Sequence, residues 1–288
     1  MKAIMSLALL LLSLPFVSLA QDDLLALLEE GETPEANITP ATFKGSRLIN
    51  GHTVMTRRAG TLEFLIAHRF GRLNSGAYEL FGLDNANVRF GIDYGVTDLV
   101  TVGFGRNSFE KTYDAFAKVA ILRQQTGKQE IPVKVKGFYS IDAKRMRSNN
   151  HEGDFTFSDR LTYTNQVLAA RKFNESFSLQ VMPTYMHYNL TERPDQDNDL
   201  LALGIGGRMK VSKRMSINAE YYHRFGDDEQ DDLHNTLAIG IDLETGGHVF
   251  QFQFTNSRAM IEKGFIRETT GDFFSGDIHL GFNITRTF

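Results

Sequence analysis

The 288-residue sequence predicts an all-β chain, a transmembrane antiparallel up-and-down β-barrel of about twelve strands. Three observations carry this reading: an N-terminal run with the grammar of an export signal, a period-two alternation of apolar and polar residues, and connections that alternate between short and long. Composition removes several other classes. With 31 Lys+Arg against 35 Asp+Glu the net charge is −4, so no general basic surface is offered to nucleic acid. The chain contains no Cys, which excludes disulfides, thiolate metal sites and a Cys nucleophile. A mean hydropathy of −0.25 leaves no room for a bundle of membrane helices, each needing about 20 apolar residues.

Taken in chain order, Lys2 precedes the apolar run from Ala3 to Ala20, which closes on Ser18-Leu19-Ala20. Charged, apolar and small residues in that order are a secretory signal peptide, residues 1–20, cut before Gln21; an uncleaved anchor fits a run this short less well. Residues 21–59 read as a lead-in or plug. Leu24, Leu25, Leu27 and Leu28 beside Glu29 and Glu30 suggest a brief helix, and GETPEANITP a flexible stretch. The following segment, Thr42 to Arg58, either plugs part of the lumen or adds a strand. An extra strand would force the count to fourteen, because such barrels need an even number.

From residue 60 to 288 the alternation dominates. The expected strands are Leu62–Phe70, Val88–Tyr94, Leu99–Phe104, Tyr113–Ile121, Val133–Ile141, Leu161–Ala170, Phe177–Tyr188, Leu201–Lys210, Met215–Tyr222, Leu237–Glu244, Phe250–Thr255 and Ile278–Phe288. In the last, Leu280, Phe282 and Ile284 oppose His279, Gly281 and Asn283, with Arg286 out of pattern where a long side chain can snorkel. The even-numbered connections, such as Gly95–Asp98 and Ser212–Arg214, are short; nearly all the odd-numbered ones, such as Ala143–Ser158 and Asn256–Gly276, are longer and more polar. Both termini then fall on the short-turn side, which in an outer-membrane barrel is the periplasm.

Charge decides which face is which. An outward apolar face puts Glu63, Arg69, Arg89, Asp93, Lys118, Lys134, Lys136, Asp142, Arg208, Lys210, Glu220 and Asp242 inside. The reverse puts Arg and Lys in lipid at about 2–4 kcal/mol each near the midplane. A soluble sandwich or lipocalin-like barrel is the competing reading, but twelve strands are too many for a lipocalin interior. With no Trp, the interfacial girdle falls to Tyr94, Tyr163, Tyr185, Tyr221 and the Phe residues. Phe288, with Phe282 in phase, matches the last-strand signal read by the barrel-assembly machinery.

Several stretches resemble a known family: SRLINGHTV (Ser46–Val54), YELFGLDNANVRFGIDYGVTD (Tyr78–Asp98), GFGRNSFEKTYDAFAK (Gly103–Lys118), ETGGHVFQFQFTNSRAMIEKGFI (Glu244–Ile266) and GDIHLGFNITRTF (Gly276–Phe288). They are similar to an uncharacterised outer-membrane β-barrel family of Bacteroidota, a domain of unknown function. The resemblance runs from about Thr42 to the end. It implies a barrel and an outer-membrane address, and no reaction.

Catalytic and metal readings find little. No G-x-S-x-G occurs among the residues. Ser257 reads as a turn residue. The sequence HRFGDDEQDDLH places His223 and His234 around Asp227, Asp228, Glu229, Asp231 and Asp232. A solvated acidic loop is the simpler reading and weak Ca²⁺ binding the other. Cross-strand partners there must sum to an even number, so His223 and His234 point to opposite faces. Glu192, Asp195, Asp197 and Asp199 form a similar acidic loop. No catalytic residue, resident metal or cofactor is expected.

Seven of the twelve inward charges are basic and five acidic. That bias suits passage of a small anionic or amphipathic solute, with Arg69, Arg89, Lys118, Lys134, Lys136, Arg208 and Lys210 making the attractive field and Glu220 and Asp242 opposing it. The alternatives are a closed interaction barrel whose outer loops bind a partner or lipopolysaccharide, and an outer-rim hydrolase. The expected partners are outer-membrane lipids and the assembly machinery, with no nucleic acid.

Overall fold

The computed structural model describes residues 36–145, 156–191, 193, 196–226 and 232–288. The signal-peptide reading and the acidic residues Asp227, Asp228, Glu229, Asp231, Glu192 and Asp195 lie outside them. Twelve strands form a closed antiparallel barrel: β1 Leu62–Arg72, β2 Ala86–Gly95, β3 Val100–Asn107, β4 Thr112–Leu122, β5 Lys134–Lys144, β6 Leu161–Lys172, β7 Phe177–Tyr188, β8 Asp199–Lys210, β9 Met215–Phe225, β10 Thr236–Thr245, β11 His248–Thr255 and β12 His279–Thr287. Each pairs with its sequence neighbours, and β12 closes on β1. Phe288 extends that closure: its amide donates to the Leu62 carbonyl at 2.8 Å. Strands of 8–12 residues are the length a tilted transmembrane strand requires, about 9–11.

The outward face is apolar on every side, with Phe90, Phe104, Val119, Leu201, Ile217, Ile241 and Phe252 all exposed. A continuous apolar girdle of this kind needs lipid around it. The twelve expected strands all form, within two or three residues at their ends. One odd-numbered connection is short: Ser108–Lys111 turns through Glu110 and Lys111 at φ of 52° and 53°. Register follows parity. Met215 pairs with Leu243 and Ile217 with Ile241, which sets His223 opposite Asn235, whose Nδ2 lies 3.2 Å from His223 Nδ1.

Thr42–Arg58 supplies no barrel strand, so the count is twelve and not fourteen. In the described lead-in, Asn37–Ile38 forms a two-residue bridge to Gln125–Thr126 in the β4–β5 connection, and Arg47 and His52 bridge to each other within the segment itself. The inner wall is less uniformly polar than alternation implied. On β4–β9, Phe116, Phe138, Leu168, Met182, Met186 and Tyr222 face inward and are buried. Several of these strands are apolar on both faces, which sequence alternation alone could not assign. Two segments from outside the ladder pack against this inner wall.

Candidate functional site

The first segment is a hairpin that enters the lumen and leaves by the same end. Its way in is fixed at the short-turn rim, where the Thr39 amide donates to the Gln124 carbonyl at 2.8 Å. Its way out is fixed there too, with Ala59 N–H on Asp98 Oδ1 at 3.0 Å and Gly60 N–H on the Gly95 carbonyl at 2.8 Å. Between these, the Leu48 amide donates to the Gly51 carbonyl and the Thr53 amide to the Ser46 carbonyl, both at 2.9 Å, turning the chain at Asn50-Gly51. Phe43, Leu48 and Val54 are buried in the apolar cluster of the inner wall. Gly51 is required at the tip, because a Cβ there would collide with the Tyr222 hydroxyl.

The second segment is the long β11–β12 connection, which folds inward from the opposite end. Lys263–Arg267 forms a π-helical turn with all five residues buried. Phe265 stacks edge-on against Tyr222 at 5.0 Å, and the Tyr188 hydroxyl donates to the Lys263 carbonyl at 3.0 Å. Lys263 Nζ pairs with Glu268 at 2.6 Å, and its charge is retained because that carboxylate and Glu110 offset the cost of burial. The two segments meet at Arg47 Nη1 and Glu262 Oε1, 3.2 Å apart and nearly solvent-free. His52 Nε2 lies 3.9 Å from the same carboxylate oxygen.

The inward charges identified from sequence are brought to this interface unevenly. Lys118 Nζ donates to the Thr53 and Met55 carbonyls at 2.8 and 3.0 Å. Lys136 Nζ donates to Thr56 Oγ1 at 2.7 Å and Lys134 Nζ to the Thr39 carbonyl at 3.3 Å. Arg69 Nη2 donates to Asn50 Oδ1 at 2.6 Å. Glu220 accepts from the hairpin-tip amides of Asn50 at 2.7 Å and of Ile49 and Gly51 at 3.3 Å. Glu63 accepts from Ser46 Oγ at 2.6 Å and pairs with Arg57 Nη1 at 3.0 Å, so four of the seven basic residues and two of the acids hold the hairpin. The others do not: Arg89 is locked to Asp114, Arg208 to Glu244 at 2.7 Å, and Asp242 accepts from Gln251 at 2.9 Å. Lys210 is half-buried at the short-turn end of β8.

Sequence reasoning passed over Asp114, an inward residue of β4 that neutralises Arg89 and trims the basic excess. It also passed over Arg47, Glu262 and Lys263, since nothing in the alternation marks a loop residue as lumenal. Among the remaining candidates, the buried Ser257 hydroxyl has no hydrogen-bond partner among the described residues. Asp232 is exposed beside the undescribed acidic loop, and no group of three metal-ligating side chains gathers among the described residues. Phe282 faces outward and stacks on His68 at 4.9 Å, and Phe288 is exposed at the rim.

Residues 43–288 match the model of a family described as a membrane bound beta barrel domain (DUF5777). No curated protein matches the chain. Among solved structures it is similar to the KdgM porin, with 7% identity and a TM-score of 0.45 over 79% of this chain and 99% of that one. It is also similar to the COG4313 outer membrane channel from Pseudomonas putida F1, with 14% identity and a TM-score of 0.48 over 81% and 97%. A third is the outer membrane protein Omp33 of Acinetobacter baumannii, with 11% identity and a TM-score of 0.42 over 80% and 98%.

Proposed function

The chain belongs to the family of membrane-bound β-barrel domains DUF5777, and from that premise we propose that it is a gated conduit of a bacterial outer membrane for a small anionic or amphipathic solute. The observation that supports this is the hairpin. It fills the lumen without contributing a rung to the barrel, and both its ends leave by one rim. It can therefore withdraw as a unit with every strand pairing intact. Withdrawal bares Lys118 and Lys136 beside Phe116, Phe138, Leu168 and Met182. An anionic head on the lysines and an apolar body on that wall would replace the hairpin's carbonyls and its Phe43, Leu48 and Val54. Bacteroidota origin, export by a cleaved signal peptide, lipid surroundings, and assembly directed by Phe288 and Phe282 belong to the same proposal.

The test is planar-bilayer conductance of the native chain and of a deletion of Phe43–Met55, each first checked for heat-modifiable migration. The native barrel is expected to open rarely and the deletion to conduct steadily with anion preference. Lys118→Gln with Lys136→Gln should erase that preference. A folded deletion that stays silent overturns the conduit and favours the closed interaction barrel.

A further inference from the structure

The lipid-facing surface carries a second feature, unrelated to the gate. A groove of about 800 Å³ crosses the outer faces of β4–β9, within the roughly 300–1,000 Å³ of small-molecule sites. Its floor is the cross-strand row Gly137, Val167, Pro183 and Leu203; its wall is the adjacent row Tyr139, Asn165, Tyr185 and Leu201. Pro183 is the one proline within a barrel strand. Proline cannot donate to a ladder and is normally confined to sheet edges, which a closed barrel lacks. The consequence is local: β6–β7 pairing runs from Gln166↔Thr184 directly to Ala169↔Val181, so two rungs are missing beneath the groove.

Asn165 is the second observation. Its side chain is exposed on the lipid-facing side, between Tyr139 and Tyr185, and among the described residues no group hydrogen-bonds its side-chain amide. In hydrocarbon an unmet amide is costly, so a polar group from the surroundings must satisfy it. Asn165 is four residues from the long-loop end of β6. At about 3.3 Å per residue and about 45° of tilt it lies no deeper than about 9 Å, the level of acyl linkages. At the same end, the Tyr185 hydroxyl and His187 Nδ1 both meet Asp199 Oδ1, at 2.8 and 2.6 Å. This gives the groove a polar head.

We infer that the groove is a binding site for one lipid of the surrounding bilayer, its acyl chain along Val167 and Pro183, its ester or hydroxyl oxygen on the Asn165 amide, and its headgroup beside His187 and Asp199. Native mass spectrometry of the full chain, extracted from phosphatidylethanolamine bilayers into mild detergent, tests this. The native chain should retain a single lipid. Asn165→Leu, which sets an apolar residue against lipid and cannot unfold the barrel by burial, should lower retention about tenfold, the factor one lost hydrogen bond carries. Val167→Phe fills the floor and should do the same, while Ile217→Phe on a lipid-facing position outside the groove should change nothing. Retention unchanged from the native chain in Asn165→Leu and Val167→Phe, or no lipid on the native chain, overturns the site. So does a native dimer that Val167→Phe converts to monomer, which would assign the groove to a second copy.

Discussion

His52 lies where the hairpin tip meets the inserted loop, packed at 4.4 Å against both Phe116 and Phe138. Burial, and then the charges of Arg47, Lys118 and Arg89, hold its pKa well below 6.5. A withdrawn His52 in water keeps the ordinary value, so the withdrawn state binds the extra proton. Seating is therefore indifferent to this group above about pH 6.5 and weakens as pH falls from there toward the depressed value. Glu262 acts in the opposite sense: burial raises its pKa from 4.5, so its proton favours seating between that value and the raised one. Native openings are expected to become more frequent between about pH 7 and about pH 5.5, and His52→Asn should flatten the rise. A pH profile identical in that variant would remove His52 from the gate. The buried Arg47–Glu262 pair belongs to the same scale. Arg47→Met leaves Glu262 buried alone and should cost seating about 3–5 kcal/mol, whereas adding Glu262→Met should recover most of it. Hydrogen exchange of the Phe43–Met55 amides reads both.

The hairpin and the β6–β7 seam are the elements whose strength the structure sets apart. Gly51→Ala should unseat the hairpin, because the new methyl meets the Tyr222 hydroxyl. Tyr222→Phe in the same chain should restore protection of the hairpin amides; if it does not, crowding at the tip is the wrong cause. Pro183→Val returns the missing N–H to the seam and should raise resistance to urea by about 0.5–1.5 kcal/mol, one net hydrogen bond. An unchanged midpoint would mean that the two absent rungs carry no weight. The same element shows where sequence reading stops. Phe177–Tyr188 is legible as a strand with its proline included, yet the break opposite Val167 needs the partner strand to be seen.

At the scale of the whole molecule, barrel ladder and hairpin are separate structures. The ladder runs through all twelve strands without the hairpin, so deletion of Phe43–Met55 should leave heat-modifiable migration unchanged while conductance rises. A deletion that fails to fold would show instead that the hairpin is part of the core, since Phe43, Leu48 and Val54 do share the inner-wall cluster. That cluster explains how a barrel this wide is filled. Twelve strands lie between side-chain-filled eight-stranded barrels and open sixteen-stranded ones. Here two inserted segments occupy the difference.

Period-two alternation by itself determined the strands from residue 60 onward, the outward face and the parity that puts His223 and His234 on opposite faces, because each of these depends only on neighbouring residues and on the cost of charge in lipid. The choice of twelve strands over fourteen needed the path of Thr42–Arg58. Alternation also placed Arg69, Lys118, Lys134, Lys136 and Glu220 inside. What they do there was decided by tertiary structure. Whether an inward lysine faces water or the Thr53 carbonyl depends on where residues 42–56 and 256–270 run, and irregular segments carry no periodicity to report it. Arg89 shows the same limit. Its pairing with Asp114 joins β2 to β4 across β3, over Gly105, where a Cβ would collide with both side chains; that juxtaposition depends on the register of three strands rather than on any spacing along the chain.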